Sequence, residues 1–271
     1  MTEKATWTLR QADGAVWLEG GDQQAQDAIV FLHAFPVGVW VWEGQRIPAG
    51  WRAIAPAMPG FDGTAPPSGT SSSIDDYAGS VIALMNHLAI RSAVLVGLSM
   101  GGYVAFALWR QAADRCRGLI LADTKSGADA ADVRAGREKM LALVGSRGAA
   151  AVAEAMIPKL LAARTRVEQP DVMSRVRELI AAQSAEGIAA AIVRLRDRPD
   201  STALLAGITV PALVIVGEDD ELTPPAEAER LQAGLVNCGL ERIVGAGHLS
   251  NMETPAIFDA ALERFLRTIP R

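Results

Sequence analysis

One short segment of this sequence combines a potential nucleophile with the backbone freedom that a tight turn needs. Ser99 lies in Gly97-Leu-Ser-Met-Gly101, with a glycine two positions before it and another two positions after it. The segment follows the apolar run Ala93–Val96 and precedes the apolar run Tyr103–Trp109, so we expect a strand, a sharp turn and a helix. The N–H groups and dipole of a helix N-terminus favour an oxyanion. The pattern predicts a nucleophilic serine for acyl transfer; the alternative is a glycine-rich turn that only packs the helix on a sheet.

A serine hydroxyl needs a base to accept its proton, and the chain offers three histidines. His87 lies within a helical pattern with no turn around it, and His33 ends the predicted strand Ile29–Leu32. His248 lies in the glycine-rich segment Gly245–Ser250, after the last predicted strand. Loops at the carboxyl ends of parallel strands present functional groups. We therefore expect His248 to be the base, against the alternative of a surface loop histidine.

The histidine needs a carboxylate that orients its ring and stabilises the imidazolium. The acidic run Glu218–Glu221 follows the apolar run Leu213–Val216, and Asp123 closes the apolar run Leu119–Ala122. Either place could supply the orienting acid, while four adjacent acids are also typical of a solvated loop. The residues alone leave the choice open.

The elements that must position these side chains alternate between strand and helix patterns. Continuous apolar runs favour a parallel sheet that is covered on both faces. Helical spacing of apolar residues follows Ser73, a predicted N-cap, through Ile74–Leu88, and recurs through Ile257–Leu266. The sequence therefore predicts an α/β fold with a mostly parallel, doubly wound sheet. The predicted strands are Trp17–Glu19, Ala28–Leu32, Ala53–Ala55, Ala93–Gly97, Gly118–Ala122, Ala212–Val216 and Glu241–Val244.

The alternation breaks between Thr124 and Gly207, where we find helical patterns and no convincing strand. We expect residues 124–207 to form an inserted helical cap over a core made of residues 1–123 and 208–271. The insert has 13 Lys and Arg against 10 Asp and Glu, which gives it a net charge of +3. Because the whole chain has a net charge of −5, the core has a net charge of −8. Charged side chains on the solvent-exposed faces of the helices explain this charge. The alternative is a positively charged cap over an anionic substrate.

Composition excludes several function classes. The chain has 271 residues and is 50% hydrophobic, which is enough apolar material for a buried core. Its net charge is −5 and it has no block of basic residues, so a nucleic-acid partner is not expected. Two cysteines exclude a disulfide scaffold and a four-thiolate zinc site, and they fit a reducing, cytoplasmic location. Three histidines leave almost no material for a histidine-rich metal site, and we expect no metal. Charged residues in Met1–Arg10 argue against a signal peptide, and the glycines within the uncharged stretch Ser92–Trp109 argue against a membrane helix. The stretch Pro66–Ser73 is predicted to be a surface loop.

In this order the motifs resemble those of the α/β-hydrolase family over nearly the whole chain. Within that family the chain is most similar to the 3-oxoadipate enol-lactonases and arylesterase-like serine hydrolases. The segments that carry the resemblance are Leu32-His-Ala-Phe-Pro36, Pro59-Gly-Phe-Asp-Gly63, Gly97-Leu-Ser-Met-Gly-Gly102, Gly217-Glu-Asp-Asp-Glu-Leu-Thr-Pro224 and Gly247-His248.

The resemblance implies a role for single residues. It selects Asp220 rather than Asp219 as the acid, three residues after a strand-ending glycine. It makes the backbone N–H groups of Phe35 and Met100 the oxyanion hole, although Ala34 stands where the family usually has glycine.

As a whole, the resemblance implies a serine hydrolase of small esters or lactones with no metal or organic cofactor. It does not predict the number of subunits. The same triad serves carbon–carbon bond hydrolases, thioesterases and perhydrolases, and a non-catalytic ligand-binding homologue is a further alternative.

Overall fold

The computed structural model describes residues 7–67 and 73–270, and these contain eight strands in one sheet. Residues 1–6, part of the segment Met1–Arg10 that was predicted not to be a signal peptide, lie outside the described part, as do residues 68–72 of the predicted surface loop. The strands are β1 (Thr8–Ala12), β2 (Ala15–Gly21), β3 (Asp27–Leu32), β4 (Trp51–Pro56), β5 (Ala93–Leu98), β6 (Cys116–Ala122), β7 (Ala212–Gly217) and β8 (Cys238–Ile243).

The sheet is mostly parallel and runs in the order β1-β2-β4-β3-β5-β6-β7-β8. Only the pairs β1–β2 and β2–β4 are antiparallel. All six residues of the central strand β5 are buried, so both faces of the sheet are covered there. The predicted α/β fold is confirmed, and the carboxyl ends of β5, β6 and β7 lie side by side, where Ser99, Asp123 and Asp220 follow them.

Helices fill most of the remaining chain. Ser73 caps the first helix as predicted, because its hydroxyl accepts the N–H of Asp75 (3.1 Å) while the Asp76 carboxylate accepts the N–H of Ser73 (3.3 Å). The α-helices are α1 (Ile74–His87), α2 (Met100–Ala112), α3 (Ala131–Leu160), α4 (Ala163–Glu168), α5 (Pro170–Ala181), α6 (Ala185–Asp197), α7 (Pro225–Gly234), α8 (Ser250–Glu253) and α9 (Pro255–Leu266).

Two edge strands differ from the sequence prediction. Strand β1 was missed because its first four residues are exposed and its sequence is largely polar, which hides the apolar pattern of a strand. It pairs with β2 through a tight hairpin at Asp13-Gly14, where both residues have positive φ. The prediction for β8, Glu241–Val244, starts three residues late and ends one residue late, because five of its six residues are exposed or only partly buried.

Helices α3 to α6 lie between β6 and β7, within the predicted insert, and they pack directly on the core. Arg194 of α6, which is buried, contacts Asp76 of α1 at 2.9 Å. Gly187 approaches Gly60 so closely that a side chain at Gly187 would collide with the Gly60 carbonyl. The limits of core and cap, residues 124–207 for the cap, stay a prediction.

Helix α3 is the described helix that is long and apolar enough to cross a membrane by length and composition alone. Its backbone leaves the helical conformation at Gly148 (φ 71°, ψ −173°), however. Each part is therefore shorter than the roughly 20 residues that a span needs. The stretch Ser92–Trp109 forms β5, the turn at Ser99 and most of α2, as predicted. That the chain lacks a membrane partner stays a prediction.

Candidate active site

Ser99 occupies the turn between β5 and α2 in a strained backbone conformation. Its φ is 53° and its ψ −110°, a region that residues other than glycine rarely adopt. The neighbouring glycines make the turn possible, since a side chain at Gly101 would run into the carbonyl of Leu32, and one at Gly97 would meet the backbone of Gly101. The serine thus stands at the N-terminus of α2, as its sequence pattern predicts.

Three of the predicted side chains form a continuous hydrogen-bonded chain. His248 Nε2 lies 2.7 Å from Ser99 Oγ, and His248 Nδ1 lies 2.8 Å from Asp220 Oδ2. Ser99 is 9% exposed and the other two are 3% exposed, so water barely reaches the relay. A nucleophile, a base and an orienting acid within this reach can pass a proton from serine to imidazole.

The loop after β7 holds Asp220 through several donors. Oδ1 accepts the backbone N–H groups of Leu222 (2.8 Å) and Thr223 (3.0 Å), and Oδ2 accepts the Thr223 hydroxyl (2.7 Å). Burial favours the protonated carboxyl, but the His248 imidazole and the Thr223 hydrogen bonds outweigh it and keep the pKa of Asp220 below its usual range. Asp220 is therefore a charged acceptor at neutral pH.

The same pairing acts on the histidine in the opposite direction. Burial disfavours the charged imidazolium, but the Asp220 carboxylate and its hydrogen bond outweigh burial and raise the pKa of His248. A carboxylate that stabilises the imidazolium makes the ring a stronger base for the serine proton. The histidine loop is fixed in turn by Glu253, which accepts the N–H groups of Gly247 and Ala162, each at 2.8 Å.

Asp123, the rival acid, is fully buried but is not hydrogen-bonded to the imidazole. Oδ1 accepts the N–H of Gly217 (2.9 Å), and Oδ2 accepts both the N–H (3.2 Å) and the hydroxyl (2.6 Å) of Ser250. Burial and the nearby Asp220 carboxylate raise the pKa of Asp123 to about 8. It links the loop that carries Asp220 to the residues that follow His248.

The other two histidines lie in different surroundings. His33 is fully buried, where its Nδ1–H donates to the Ala34 carbonyl (3.0 Å) and its Nε2 accepts the Met58 N–H (3.0 Å). Burial lowers the pKa of His33, so the ring is neutral. His87 is the last residue of α1, is exposed, and lies 3.8 Å from Asp13 Oδ2.

The two amides predicted to bind an oxyanion flank the serine. Phe35 and Met100 both line the cavity that contains Ser99 and His248, and among the described residues neither backbone N–H donates a hydrogen bond to another protein group. Ala34, where glycine is usual in the family, does not have a positive φ, so its side chain causes no backbone strain. Two buried amides are thus available to a ligand oxygen.

The cavity above Ser99 has a volume of about 410 Å³ and is lined by both core and inserted helices. Of the cap arginines Arg134, Arg137, Arg164 and Arg166, only Arg137 lines it. Arg134 and Arg164 instead pair with Asp197 and Glu168, respectively. The charged lining residues balance, with three cationic and three acidic side chains: Lys125, Arg137, Lys159, Asp129, Asp132 and Glu221.

Several contributors to the site were not predicted. Thr223 and Glu253 are common residue types in segments without a motif, and their roles depend on side-chain directions that no spacing rule gives. The only sequence signal was that Thr223 stands three residues after Asp220, in the position to bond a carboxylate in a tight turn. Among the described residues no three His, Cys, Asp or Glu side chains group as metal ligands, and freedom from cofactors stays a prediction.

Comparison with known proteins agrees with the fold. A family model described as alpha/beta hydrolase fold matches residues 27–255. A 3-oxoadipate enol-lactonase of Acinetobacter baylyi is 27% identical over 262 residues, which cover 96% of both chains.

Two solved structures extend this likeness over almost the whole length. A thermophilic esterase from Thermogutta terrifontis, solved with malate bound, is 33% identical with a TM-score of 0.88 over 98% of each chain. An enol-lactonase from Burkholderia xenovorans is 26% identical with a TM-score of 0.86 over 96% of this chain and 100% of its own. The predicted resemblance to such enzymes is confirmed, and the chain belongs to the α/β-hydrolase family.

Proposed function

We propose that this protein is a serine hydrolase that cleaves small carboxylic esters or lactones through Ser99, His248 and Asp220. The observation that carries the proposal is the unbroken relay from Ser99 Oγ through His248 to Asp220, with distances of 2.7 and 2.8 Å. The ester and lactone class is supported by the names of the relatives, an esterase and two enol-lactonases, which the chain matches over nearly its full length.

The first half of the reaction forms an acyl-enzyme. His248 Nε2 accepts the Ser99 hydroxyl proton while Oγ attacks the carbonyl carbon, and Asp220 stabilises the imidazolium that results. The developing oxyanion accepts hydrogen bonds from the N–H groups of Phe35 and Met100. Each such donor is typically worth about 3–4 kcal/mol, so the amides matter as much as the side chains.

The second half releases the acid. When the tetrahedral intermediate collapses, the ester C–O bond breaks and His248 gives its proton to the leaving alcohol oxygen. His248 then takes a proton from a water molecule, whose oxygen attacks the acyl-enzyme. A second collapse returns that proton to Ser99 and frees the carboxylic acid.

The cavity supports a small, uncharged substrate. Its volume of about 410 Å³ lies in the range that small ligands occupy. Two of the three cations that line the cavity already contact an acid, because Asp129 lies 3.1 Å from Arg137 Nε and 3.7 Å from Lys125 Nζ. With equal numbers of positive and negative side chains around it, a neutral ester is the favoured ligand, and a carboxylate-bearing lactone is the alternative.

One experiment separates ester and lactone hydrolysis from the other reactions that the same triad can perform. The purified protein is assayed with p-nitrophenyl esters and lactones of graded size, beside thioesters and carbon–carbon bond hydrolase substrates. We expect ester or lactone turnover that falls at least about a thousandfold in Ser99→Ala. Turnover of thioesters or carbon–carbon substrates alone would replace the proposed class, and a Ser99→Ala variant within about tenfold of the wild type would refute the nucleophile.

Location and partners stay predictions of the sequence. A small-molecule substrate follows from the proposed reaction. A cytoplasmic location and the lack of a nucleic-acid partner rest only on composition and charge.

A further inference from the structure

The chain has two tyrosines, and each lies beneath a buried arginine. Tyr77 of α1 has the Arg194 guanidinium 5.3 Å from its ring centroid, and Tyr103 of α2 has the Arg198 guanidinium 4.0 Å from its own. Both arginines are less than 5% exposed. The two rings are thus held by the same kind of cation–π contact, but their surroundings differ.

Only Tyr103 lines the cavity above Ser99. It stands four positions after the serine on α2, about one helical turn along the same face. Burial raises the pKa of Tyr103, so its hydroxyl keeps its proton at neutral pH. Among the described residues this hydroxyl forms no hydrogen bond with a protein group, although the side chain is only 7% exposed. In the cavity, this donor is therefore left to water or to a ligand.

The arginine above the ring cannot serve as the ligand group itself. Arg198 Nη1 donates to the Leu195 carbonyl and Nη2 to the Gly127 carbonyl, each at 2.8 Å, and Nη1 also lies 2.7 Å from Asp129. Its side chain is 2% exposed. Because the guanidinium is held by these contacts, it restricts the positions of the Tyr103 ring that lines the cavity.

We propose that the Tyr103 hydroxyl determines specificity by donating a hydrogen bond to an acceptor oxygen of the substrate other than the reacting ester group. The favoured substrates are then oxygen-bearing esters or lactones rather than esters of plain hydrocarbon chains. The physical reason is that a bound substrate displaces water from this hydroxyl, and a substrate oxygen then supplies the acceptor that a hydrocarbon chain cannot. The inference rests on the proposed hydrolase function and names the substrate class of the same site.

The test uses substrates in which an ether oxygen replaces one methylene without changing the length. One pair varies the acyl part, p-nitrophenyl methoxyacetate against p-nitrophenyl butyrate. The other varies the alcohol part, 2-methoxyethyl acetate against n-butyl acetate. For each pair, the ratio of kcat/KM values is compared between the wild type, Tyr103→Phe and Tyr77→Phe, which cancels the intrinsic reactivity of the esters. Tyr77 is the matched control, because its hydroxyl is also unpartnered but lies outside the cavity.

In one of the two pairs, we expect Tyr103→Phe to lower the preference for the ether-containing ester about fivefold, the size of one neutral hydrogen bond. Tyr77→Phe should leave both ratios unchanged. Unchanged ratios for Tyr103→Phe in both pairs, or equal changes for the two variants, would overturn the inference about Tyr103. If the wild type still turned over the esters in that case, the proposed hydrolase function would stand. A wild type that turned over none of the four esters would instead count against the proposed function.

Discussion

Asp123 and Asp220 follow neighbouring strands of the sheet, but only Asp220 reaches the imidazole of His248, with 2.8 Å between Oδ2 and Nδ1. Asp123 is directed instead to Gly217 and Ser250. The two carboxyl groups therefore have separate tasks: one orients the base, and the other connects the two loops that bring acid and base to the serine.

This division predicts unequal effects of replacing the two side chains with asparagine. Asp220→Asn should lower kcat by about a thousandfold or more, because an amide stabilises the wrong imidazole tautomer. Asp219→Asn, the control on the exposed neighbour, should stay within about twofold of the wild type. The kcat of each variant is measured by steady-state kinetics with a neutral ester. An Asp123→Asn variant more impaired than Asp220→Asn would show that the acid follows β6 instead.

The pH dependence of kcat/KM should report the histidine. Only the neutral imidazole accepts the serine proton, so activity rises with pH through the pKa of His248 in the free enzyme. Since Asp220 raises that pKa, the acidic limb should have its midpoint above the ordinary value of 6.5. In Asp220→Asn burial acts without the carboxylate, and the residual activity should have its limb at lower pH. A limb that stays in place or moves to higher pH would contradict this electrostatic account.

Chelation tests the expectation that no metal takes part. Dialysis against EDTA should leave ester turnover unchanged, because the proposed reaction uses only side chains and backbone amides. The measurement is kcat before and after chelation, with zinc, magnesium or manganese added back. Inhibition that an added metal reverses would refute the cofactor-free mechanism.

The charge balance of the cavity predicts a preference for neutral substrates. The kcat/KM for p-nitrophenyl butyrate should exceed that for the p-nitrophenyl half-ester of succinic acid, and the ratio should change little between low and high salt. Arg137→Gln should leave that order intact. If the half-ester is preferred, and this preference weakens at high salt and in Arg137→Gln, the positively charged cap binds an anionic substrate.

The sequence predicted the parts of the molecule whose signals are local. Apolar runs located β3, β5 and β7, and the glycines around Ser99 located the turn that holds the nucleophile. The exposed strand β1 left no apolar pattern, although the Asp13-Gly14 turn was a usable hairpin signal. The break of α3 at Gly148 had no comparable signal.

Contacts between distant segments could not be predicted in the same way. Asp123 and Asp220 both follow buried strands, and which of them meets His248 depends on how the two loops fold. The resemblance to a family, not the spacing, selected Asp220. Likewise, nothing in the sequence placed Tyr103 beneath Arg198, or Arg137 rather than Arg134 beside the cavity, because side-chain direction across an inserted segment is a property of the packed structure.

Activation of Ser99 by His248 can be measured with a fluorophosphonate probe, which reacts covalently with an activated serine. We expect one covalent adduct per chain, mapped by peptide mass spectrometry to Ser99 and absent from Ser99→Ala. His248→Ala should react at least about a hundredfold more slowly, since serine and histidine act as one unit, whereas His87→Ala should react at the wild-type rate. An adduct on another residue, or a folded wild-type protein that takes no label, would contradict the account.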